Sequence, residues 1–156
     1  MDKLSTWIKD WIELTDADRA CPYALPTWKS NRVKIIKLDN TISAYDFWTG
    51  ASNAAENFND DQDVIIVAMD TDITILTEIQ LLGGSDSLNA NLNLRNKDVW
   101  VLTLFSDLYT LVVLQRISKL DDASIMLEKK GHYDNYHPYR FNKDILERRK
   151  LRNNIK

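Results

Sequence analysis

The chain has 156 residues, 44% of them hydrophobic, and includes five Trp, six Tyr and four Phe. This size and composition suffice for one domain with its own core, without a disulfide or a metal to hold it together. The single cysteine excludes an internal disulfide and favours a reducing, cytoplasmic setting. No apolar run approaches the roughly 18 residues of a membrane span, and the first residues lack the pattern of a signal peptide, so we expect neither.

Charge is distributed unevenly along the chain, whose net charge is −3. Residues 1–128 hold 11 Lys or Arg and 20 Asp or Glu, whereas residues 129–156 hold nine and three. A basic tail on an acidic body predicts either binding to an acidic partner or docking of the tail on the body itself.

The first half of the chain predicts a helix, a loop and a βαβ unit. Apolar residues recur at helical spacing over residues 4–12. Two prolines then predict an extended loop over residues 21–30. Strands over residues 33–38 and 64–69 flank a helix that opens at Ser43. Because the second strand is an unbroken apolar run, we expect it to be central and parallel to the first.

A pair of glycines interrupts the middle of the chain. We expect a third helix over residues 73–82, ended by Gly83 and Gly84. The asparagine-rich stretch over residues 85–98 then predicts a short helix and a loop.

The second half predicts a β-hairpin followed by two helices. A strand over residues 99–105 precedes a turn and a segment over residues 108–117 that is either a strand or a helix. Its β-branched residues and the short turn favour a strand, and therefore a hairpin. A helix over residues 120–130 ends at Gly131, and a last helix begins near Asn142. Pro138 precedes that helix, too early for its first turn.

Together these elements predict one α+β domain spanning residues 1–156. Its βαβ core plus β-hairpin would form a mixed sheet of about four strands with helices packed on it. A ferredoxin-like fold is one candidate of this kind. Residues 131–156 would add a basic C-terminal loop and helix.

Cys21 is a candidate catalytic nucleophile, in an enzyme whose pocket brings it near His132 or His137. A reactive thiol needs a helix N-terminus, a base or a cation to lower its pKa. Cys21 instead follows the end of a predicted helix, where the dipole has the opposite sign. We therefore favour the alternative that Cys21 is a small buried apolar residue.

Both histidines of the chain fall close together, in a segment rich in tyrosine. His132, Asp134 and His137 could supply three metal ligands, and either histidine could act as an acid or base. The favoured alternative is an ordered aromatic loop that covers one end of the sheet while the histidines bond to backbone. The loop's aromatic residues would be Tyr133, Tyr136, Tyr139 and Phe141.

The C-terminal segment is the candidate partner-binding region. Its mixture of cations and aromatic side chains suits an acidic protein or a single-stranded nucleic acid, although no known nucleic-acid motif is present. The residues that would carry this role are Tyr139, Arg140, Arg148, Arg149, Lys150 and Arg152. The alternative is that these cations dock on the body, since charged helical faces are commonly solvated or self-paired.

Two aspartates follow the predicted central strand. Asp70 and Asp72 would lie at its carboxyl end, where α/β sheets gather ligands, and could bind Mg²⁺. Helix capping explains the same two residues, and we favour it. The chain has no glycine-rich phosphate loop and no zinc-finger spacing, so we expect no cofactor other than a possible metal at the histidines.

The segment Cys21-Pro22-Tyr23-Ala24 resembles the Cys-Pro-Phe-Ala signature of a family of uncharacterised bacterial proteins. That resemblance implies a first helix, then the signature, then a strand, but no assigned activity. The family's third strand leads into Phe-His-Pro, where this chain has Phe105-Ser106-Asp107. The 13 Asn and 18 Asp are also typical of bacteriophage or marine microbial proteins.

Three functional hypotheses follow from the sequence. The leading one is a small cytoplasmic binding or regulatory protein, encoded by a phage, that acts through its basic, aromatic C-terminal segment. An enzyme using Cys21 with His132 or His137, and a metal protein using His132, Asp134 and His137, are the alternatives. Five tryptophans also leave room for an exposed apolar face, and hence for a homodimer.

Overall fold

The structure is a computed structural model that describes residues 2–14, 21, 23–38, 44–70 and 78–153. The helices and strands follow one another as α1 (Lys3–Leu14), α2 (Ala24–Lys29), β1 (Val33–Lys37), α3 (Ala44–Glu56), β2 (Val64–Asp70), α4 (Glu78–Leu94), β3 (Trp100–Phe105), β4 (Tyr109–Gln115), α5 (Ile117–Lys129), α6 (Pro138–Phe141), a π-helical turn (Asn142–Leu146) and α7 (Glu147–Arg152).

The four strands form one mixed sheet in the order β1-β2-β4-β3. β1 lies parallel to β2, with Val33 opposite Val64, and α3 connects them, which confirms the predicted βαβ unit. β3 and β4 are an antiparallel hairpin, so residues 109–115 are a strand and not a helix. The predicted α+β class with a four-stranded mixed sheet and packed helices is therefore confirmed.

The element order departs from a ferredoxin-like fold. A ferredoxin-like chain runs βαββαβ, whereas the described strands and the helices between them run βαβαββ. In this sheet β2 and β4 are the central strands, and β1 and β3 are the edge strands.

Helices cover both faces of the sheet, as the unbroken apolar run of β2 requires. Ile65, Val67 and Met69 point to one face, where they pack with Phe47 of α3 and Leu92 of α4. The alternate residues of β2 point to the other face and pack with α1 and α2; this second cluster includes Leu4, Ile8, Ile12, Ala24, Val64, Ile66 and Ala68. Each fully buried aliphatic or aromatic side chain contributes about 1.5–3 kcal/mol to folding.

The two tryptophans of α1 fix that helix against the sheet. Trp7 stacks on Trp11, with ring centroids 6.3 Å apart, and meets Tyr109 of β4 edge-on at 5.5 Å. Such aromatic pairs add about 0.5–1.5 kcal/mol beyond the area that they bury. None of the described helices is long and apolar enough to cross a membrane.

Three helices end in the same turn, in which a residue with positive φ reverses the chain. Asn31 (φ 57°) follows α2, Asn96 (φ 55°) follows α4 and Gly131 (φ 79°) follows α5. After α5, the amide of Gly131 donates to the Glu128 carbonyl and the amide of His132 donates to the Leu127 carbonyl. This is the Schellman arrangement, and it confirms Gly131 as the residue that ends α5.

The predicted break at Gly83 and Gly84 is wrong, because α4 continues through both to Leu94. A Cβ at Gly84 would overlap the ring of Trp48, whereas a Cβ at Gly83 would meet nothing. Gly84 is therefore explained by the close packing of α3 on α4 and not by a helix end.

The structure also differs from the prediction at two prolines. Residues 24–29 form the short helix α2, where the sequence predicted an extended loop, since Pro26 falls in the first turn and lacks only an amide that would be unpaired there. The last helical region begins at Pro138 and not near Asn142, with His137 as its N-cap. Ser43 and Asp72, two predicted caps, lie outside the described residues.

Candidate functional site

The C-terminal segment, residues 131–153, docks on α5 through ion pairs. Arg149 lies 2.7 Å from the Glu128 carboxylate and 3.4 Å from that of Asp121. Arg152 lies 2.9 Å from Asp121 and 2.6 Å from Asp122. Asp121 is only 4% exposed and forms ion pairs with both of these guanidinium groups. The sequence left two roles open for these arginines, partner binding and docking of the tail on the body. In the structure, Arg149 and Arg152 dock the tail on the body.

Buried side chains anchor the same segment. Ile145 and Arg148 are 6% and 7% exposed. Ahead of them, the ring of Tyr133 lies 4.9 Å from Tyr136 and 5.4 Å from Phe141. Tyr133, Tyr136 and Phe141 of the predicted aromatic loop are thus in contact, edge-on for Tyr133 with Tyr136 and tilted for Tyr133 with Phe141.

Other residues of this region remain exposed. Tyr139 is 64% exposed, and no described residue forms an ion pair with any of four exposed lysines, Lys129, Lys130, Lys143 and Lys150. Of the predicted partner-binding residues, Tyr139 and Lys150 are thus available, Arg148, Arg149 and Arg152 are engaged within the chain, and the side chain of Arg140 lies outside the description. The sequence did not single out Lys129, Lys130 or Lys143, although its charge count includes them.

The docked segment forms one wall of a groove beside β3, which we name the edge groove. It has a volume of about 1120 Å³; α4 forms the opposite wall and β3 the floor. The groove is larger than the roughly 300–1,000 Å³ of small-molecule pockets. Among the described residues, the charged ones that line it are Asp86, Lys143, Glu147 and Arg148, two of each sign.

Asn89 of α4 covers the outer edge of β3. Its side-chain amide donates to the Val101 carbonyl (2.9 Å), and its side-chain oxygen accepts from the Val101 amide (2.7 Å). One turn earlier, the hydroxyl of Ser85 bonds to that of Thr103. Asn89 thereby supplies the two hydrogen bonds that another strand would make to Val101, which protects this edge of the sheet.

The two histidines line the edge groove without forming a metal site. His137 accepts a hydrogen bond at Nδ1 from the Tyr139 amide (3.2 Å), as the N-cap of α6. The ring of His132 packs edge-on against Tyr133 at 5.1 Å. In the part of the chain that the structure describes, no three His, Cys, Asp or Glu residues lie close enough to hold a metal, so His132, Asp134 and His137 are not assembled as ligands.

Cys21 lies in the core on the α1 and α2 side of the sheet. It is 1% exposed and belongs to the cluster around Ile8 and Ile66. Burial raises the pKa of its thiol to about 12, so the nucleophilic thiolate is scarce at neutral pH. Both histidines line the edge groove, and Cys21 is not among the described residues that line it. The structure therefore does not bring the proposed catalytic pair together, and Cys21 packs as a small apolar residue.

Asp63 organises the end of the sheet where β2 begins. Its carboxylate accepts two hydrogen bonds from Arg32, at 2.7 and 3.2 Å, and lies 2.7 Å from the Lys119 ammonium. These cations hold the pKa of Asp63 at about 2. The Tyr23 hydroxyl donates to the Asp63 carbonyl and accepts from the Arg116 amide, which ties α2, β2 and α5 together. These contacts join residues that are distant in sequence, so we assign this cluster to folding.

Gln115 is a buried polar side chain without a hydrogen-bond partner among the described residues. It is 0% exposed, and neither its amide nitrogen nor its oxygen bonds to any described residue. It does not line the edge groove.

Asp70, one of the two aspartates that could bind Mg²⁺, is the last residue of β2. It lies 3.8 Å from the Lys37 ammonium.

Comparisons with protein-family models, with curated proteins and with solved structures found no match. The resemblance of residues 21–24 to an uncharacterised bacterial family therefore stays a prediction.

Proposed function

We propose that this is a binding protein that acts on an anionic partner through its C-terminal segment and the adjoining lysines at the end of α5, Lys129 and Lys130. The observation that carries the proposal is that the arginines and the lysines of this region have different contacts. Arg149 and Arg152 form ion pairs with carboxylates of α5. The exposed lysines form no ion pair with the described residues, and the side chain of Tyr139 is exposed, so both are available to a partner.

Three of these lysines are sequence neighbours of one ion pair. Arg149 and Glu128 join α7 to the end of α5, and Lys129, Lys130 and Lys150 are the next residues along the two helices. Residues 117–156 hold ten Lys or Arg and six Asp or Glu. Internal pairing with α5 therefore leaves this end of the molecule positive, while the rest of the chain is acidic, and such asymmetry attracts anions.

The buried single cysteine and the composition support two further parts of the proposal. A thiol that can form no internal disulfide suits the reducing cytoplasm. The abundance of Asn and Asp supports a phage origin, in which case the protein acts in the cytoplasm of a bacterial host.

The test compares two triple variants of equal net charge. One is Lys129→Gln/Lys130→Gln/Lys150→Gln, and the control is Lys3→Gln/Lys29→Gln/Lys97→Gln, which neutralises three exposed lysines elsewhere. Fluorescence anisotropy with labelled dT20 and with a labelled 20-residue poly-glutamate, over a series of salt concentrations, measures binding by each.

We expect wild-type protein to bind at least one probe and the first variant to bind it more weakly than the control. For dT20, losing three phosphate contacts makes the negative slope of log K against log salt less steep by about 2. Binding that the two variants weaken equally reflects overall charge alone and contradicts a role for the C-terminal segment. Absence of binding to both probes at low salt contradicts an anionic partner.

A further inference from the structure

The sheet has two edge strands, and only one of them is protected in the described structure. On β3, Asn89 occupies the outward amide and carbonyl of Val101. On β1, no described residue pairs with the outer side of the strand. An unpaired edge is a template for another strand.

The register of β1 shows which of its groups point outward. The Val64 amide donates to the Arg32 carbonyl, and the Leu38 amide donates to the Ala68 carbonyl. In a parallel ladder the residues that bond to the neighbouring strand alternate with residues that face away. Arg32 and Leu38 face β2, so Val33, Ile35 and Lys37 direct their amides and carbonyls away from the sheet.

This edge carries two exposed lysines, Lys34 and Lys37, and a place for an apolar side chain. Lys37 lies 3.8 Å from Asp70 and also interacts electrostatically with Asp2, whereas no described residue forms an ion pair with Lys34. Beside the strand is a cavity of about 140 Å³, lined by Trp28, Asn31, Val33 and Ile35.

We propose that the outer edge of β1 binds an extended acidic peptide segment of a partner protein as a fifth strand. Backbone bonds to Val33, Ile35 and Lys37 provide affinity, and the cavity beside Trp28 receives one aliphatic side chain of the peptide. Carboxylates of the peptide pair with Lys34 and Lys37, because opposite charges on adjacent strands attract. This site is separate from the C-terminal segment and does not depend on the function proposed for that segment.

A second copy of the chain fits this edge less well. If two β1 strands paired antiparallel about Ile35, Lys34 would face Ile36 of the second copy and Lys37 would face Val33 of the second copy. Centring the pair on Lys34 would place two lysines opposite each other. Each arrangement sets a cation against an apolar side chain or against a like charge, and both are unfavourable.

Because Lys34 and Lys37 project from opposite faces of the sheet, the two carboxylates of the probe must also lie on opposite faces, three residues apart. The probe is the blocked peptide acetyl-Val-Glu-Val-Val-Glu-Val-Val-amide, with a control peptide that has Lys in place of Glu. Amide hydrogen exchange, measured by NMR on full-length protein, locates the bound strand. We expect the glutamate peptide to slow exchange of the Val33, Ile35 and Lys37 amides by about tenfold or more. The Ile36 and Leu38 amides, which face β2, should change little.

The variant Lys34→Glu/Lys37→Glu separates charge recognition from strand pairing. Both side chains are exposed, so the fold should be retained, which the exchange pattern of β2 verifies. We expect the variant to prefer the lysine peptide, with the ratio of the two affinities shifted at least about fivefold from that of wild type.

Three results would overturn the proposal. The first is no slowing at Val33, Ile35 and Lys37 with the glutamate peptide. The second is equal binding of both peptides by wild type, which would leave the lysines without a role. The third is slowing of these amides when protein concentration alone is raised, because the occupant would then be a second copy.

Discussion

Replacing Asp63 with Asn should destabilise the protein in a manner that depends on pH. The carboxylate is 9% exposed and is held by Arg32 and Lys119. The hydrogen bonds from Arg32 are the largest cause of the lowering of its pKa from 3.8 to about 2. At about 1.36 kcal/mol per pKa unit, this shift corresponds to roughly 2 kcal/mol at neutral pH. The side chains of Arg32 and Lys119 are 38% and 47% exposed, and solvent screening reduces the expected loss to about 1–2 kcal/mol.

The sign of the pH dependence follows from the direction of the shift. The folded state holds the Asp63 carboxylate ionised more strongly than the unfolded chain does, so its stabilisation is present above pH 3.8 and is lost as the pH falls towards 2. The difference in free energy of unfolding between wild type and Asp63→Asn should therefore be full at pH 7 and should shrink between pH 4 and pH 2.

Urea unfolding followed by tryptophan fluorescence at several pH values measures this difference. The control is Asp61→Asn, because Asp61 is exposed and forms no ion pair with the described residues. We expect it to change stability by less than about 0.5 kcal/mol. A variant at Asp63 that matches wild type at pH 7, or a difference that stays constant down to pH 2, would refute the reasoning.

Three further predictions concern packing and buried polar groups, each measured by urea unfolding. Gln115→Met should stabilise the fold by about 1–2 kcal/mol, because it removes a buried amide without a partner; a loss of stability would mean that the amide is bonded. Asn89→Ala should cost about 1–3 kcal/mol, while Asn93→Ala on the same helix should cost little, and equal costs would contradict a special role for Asn89 at the β3 edge. Gly84→Ala should cost about 1–3 kcal/mol through overlap with a tryptophan ring, whereas Gly83→Ala should be neutral or stabilising; the opposite order would be inconsistent with the packing of α3 on α4.

The sheet was predictable from the sequence because its signals are local. The apolar run of residues 64–69 required a strand covered on both faces, and that is the position of β2. The β-branched residues after the turn at Ser106 predicted the hairpin, which formed. In each case the hydrophobic pattern within a few residues determined the structure.

The helices were less predictable where distant contacts override local preference. Gly83 and Gly84 predicted a helix end, but contact with Trp48, more than 30 residues away, explains Gly84 inside a continuous helix. Pro26 predicted an extended chain, yet it occupies the first turn of α2, where a proline has no hydrogen bond to lose. No local pattern separates these alternatives.

The candidate sites depended on registers and partners that the sequence does not show. The charge count predicted that residues 129–156 would attract acidic groups, but not that Asp121 would engage Arg149 and Arg152 and leave the lysines exposed. Likewise, Asn89 reveals its role only once α4 lies beside β3. Burial of Cys21 was the favoured alternative from its place after a helix, and the structure agrees.

An NMR titration of isotope-labelled protein with dT20 and with poly-glutamate at low salt tests the central claim most directly, because it locates the binding surface. The account predicts that at least one probe shifts backbone amide resonances of Lys129, Lys130, Tyr139 and Lys150, with little change in α1 and α3 and with loss of the shifts as salt is raised. No shift with either probe, or shifts confined to residues outside 117–153, would contradict the proposal that the C-terminal segment binds an anionic partner.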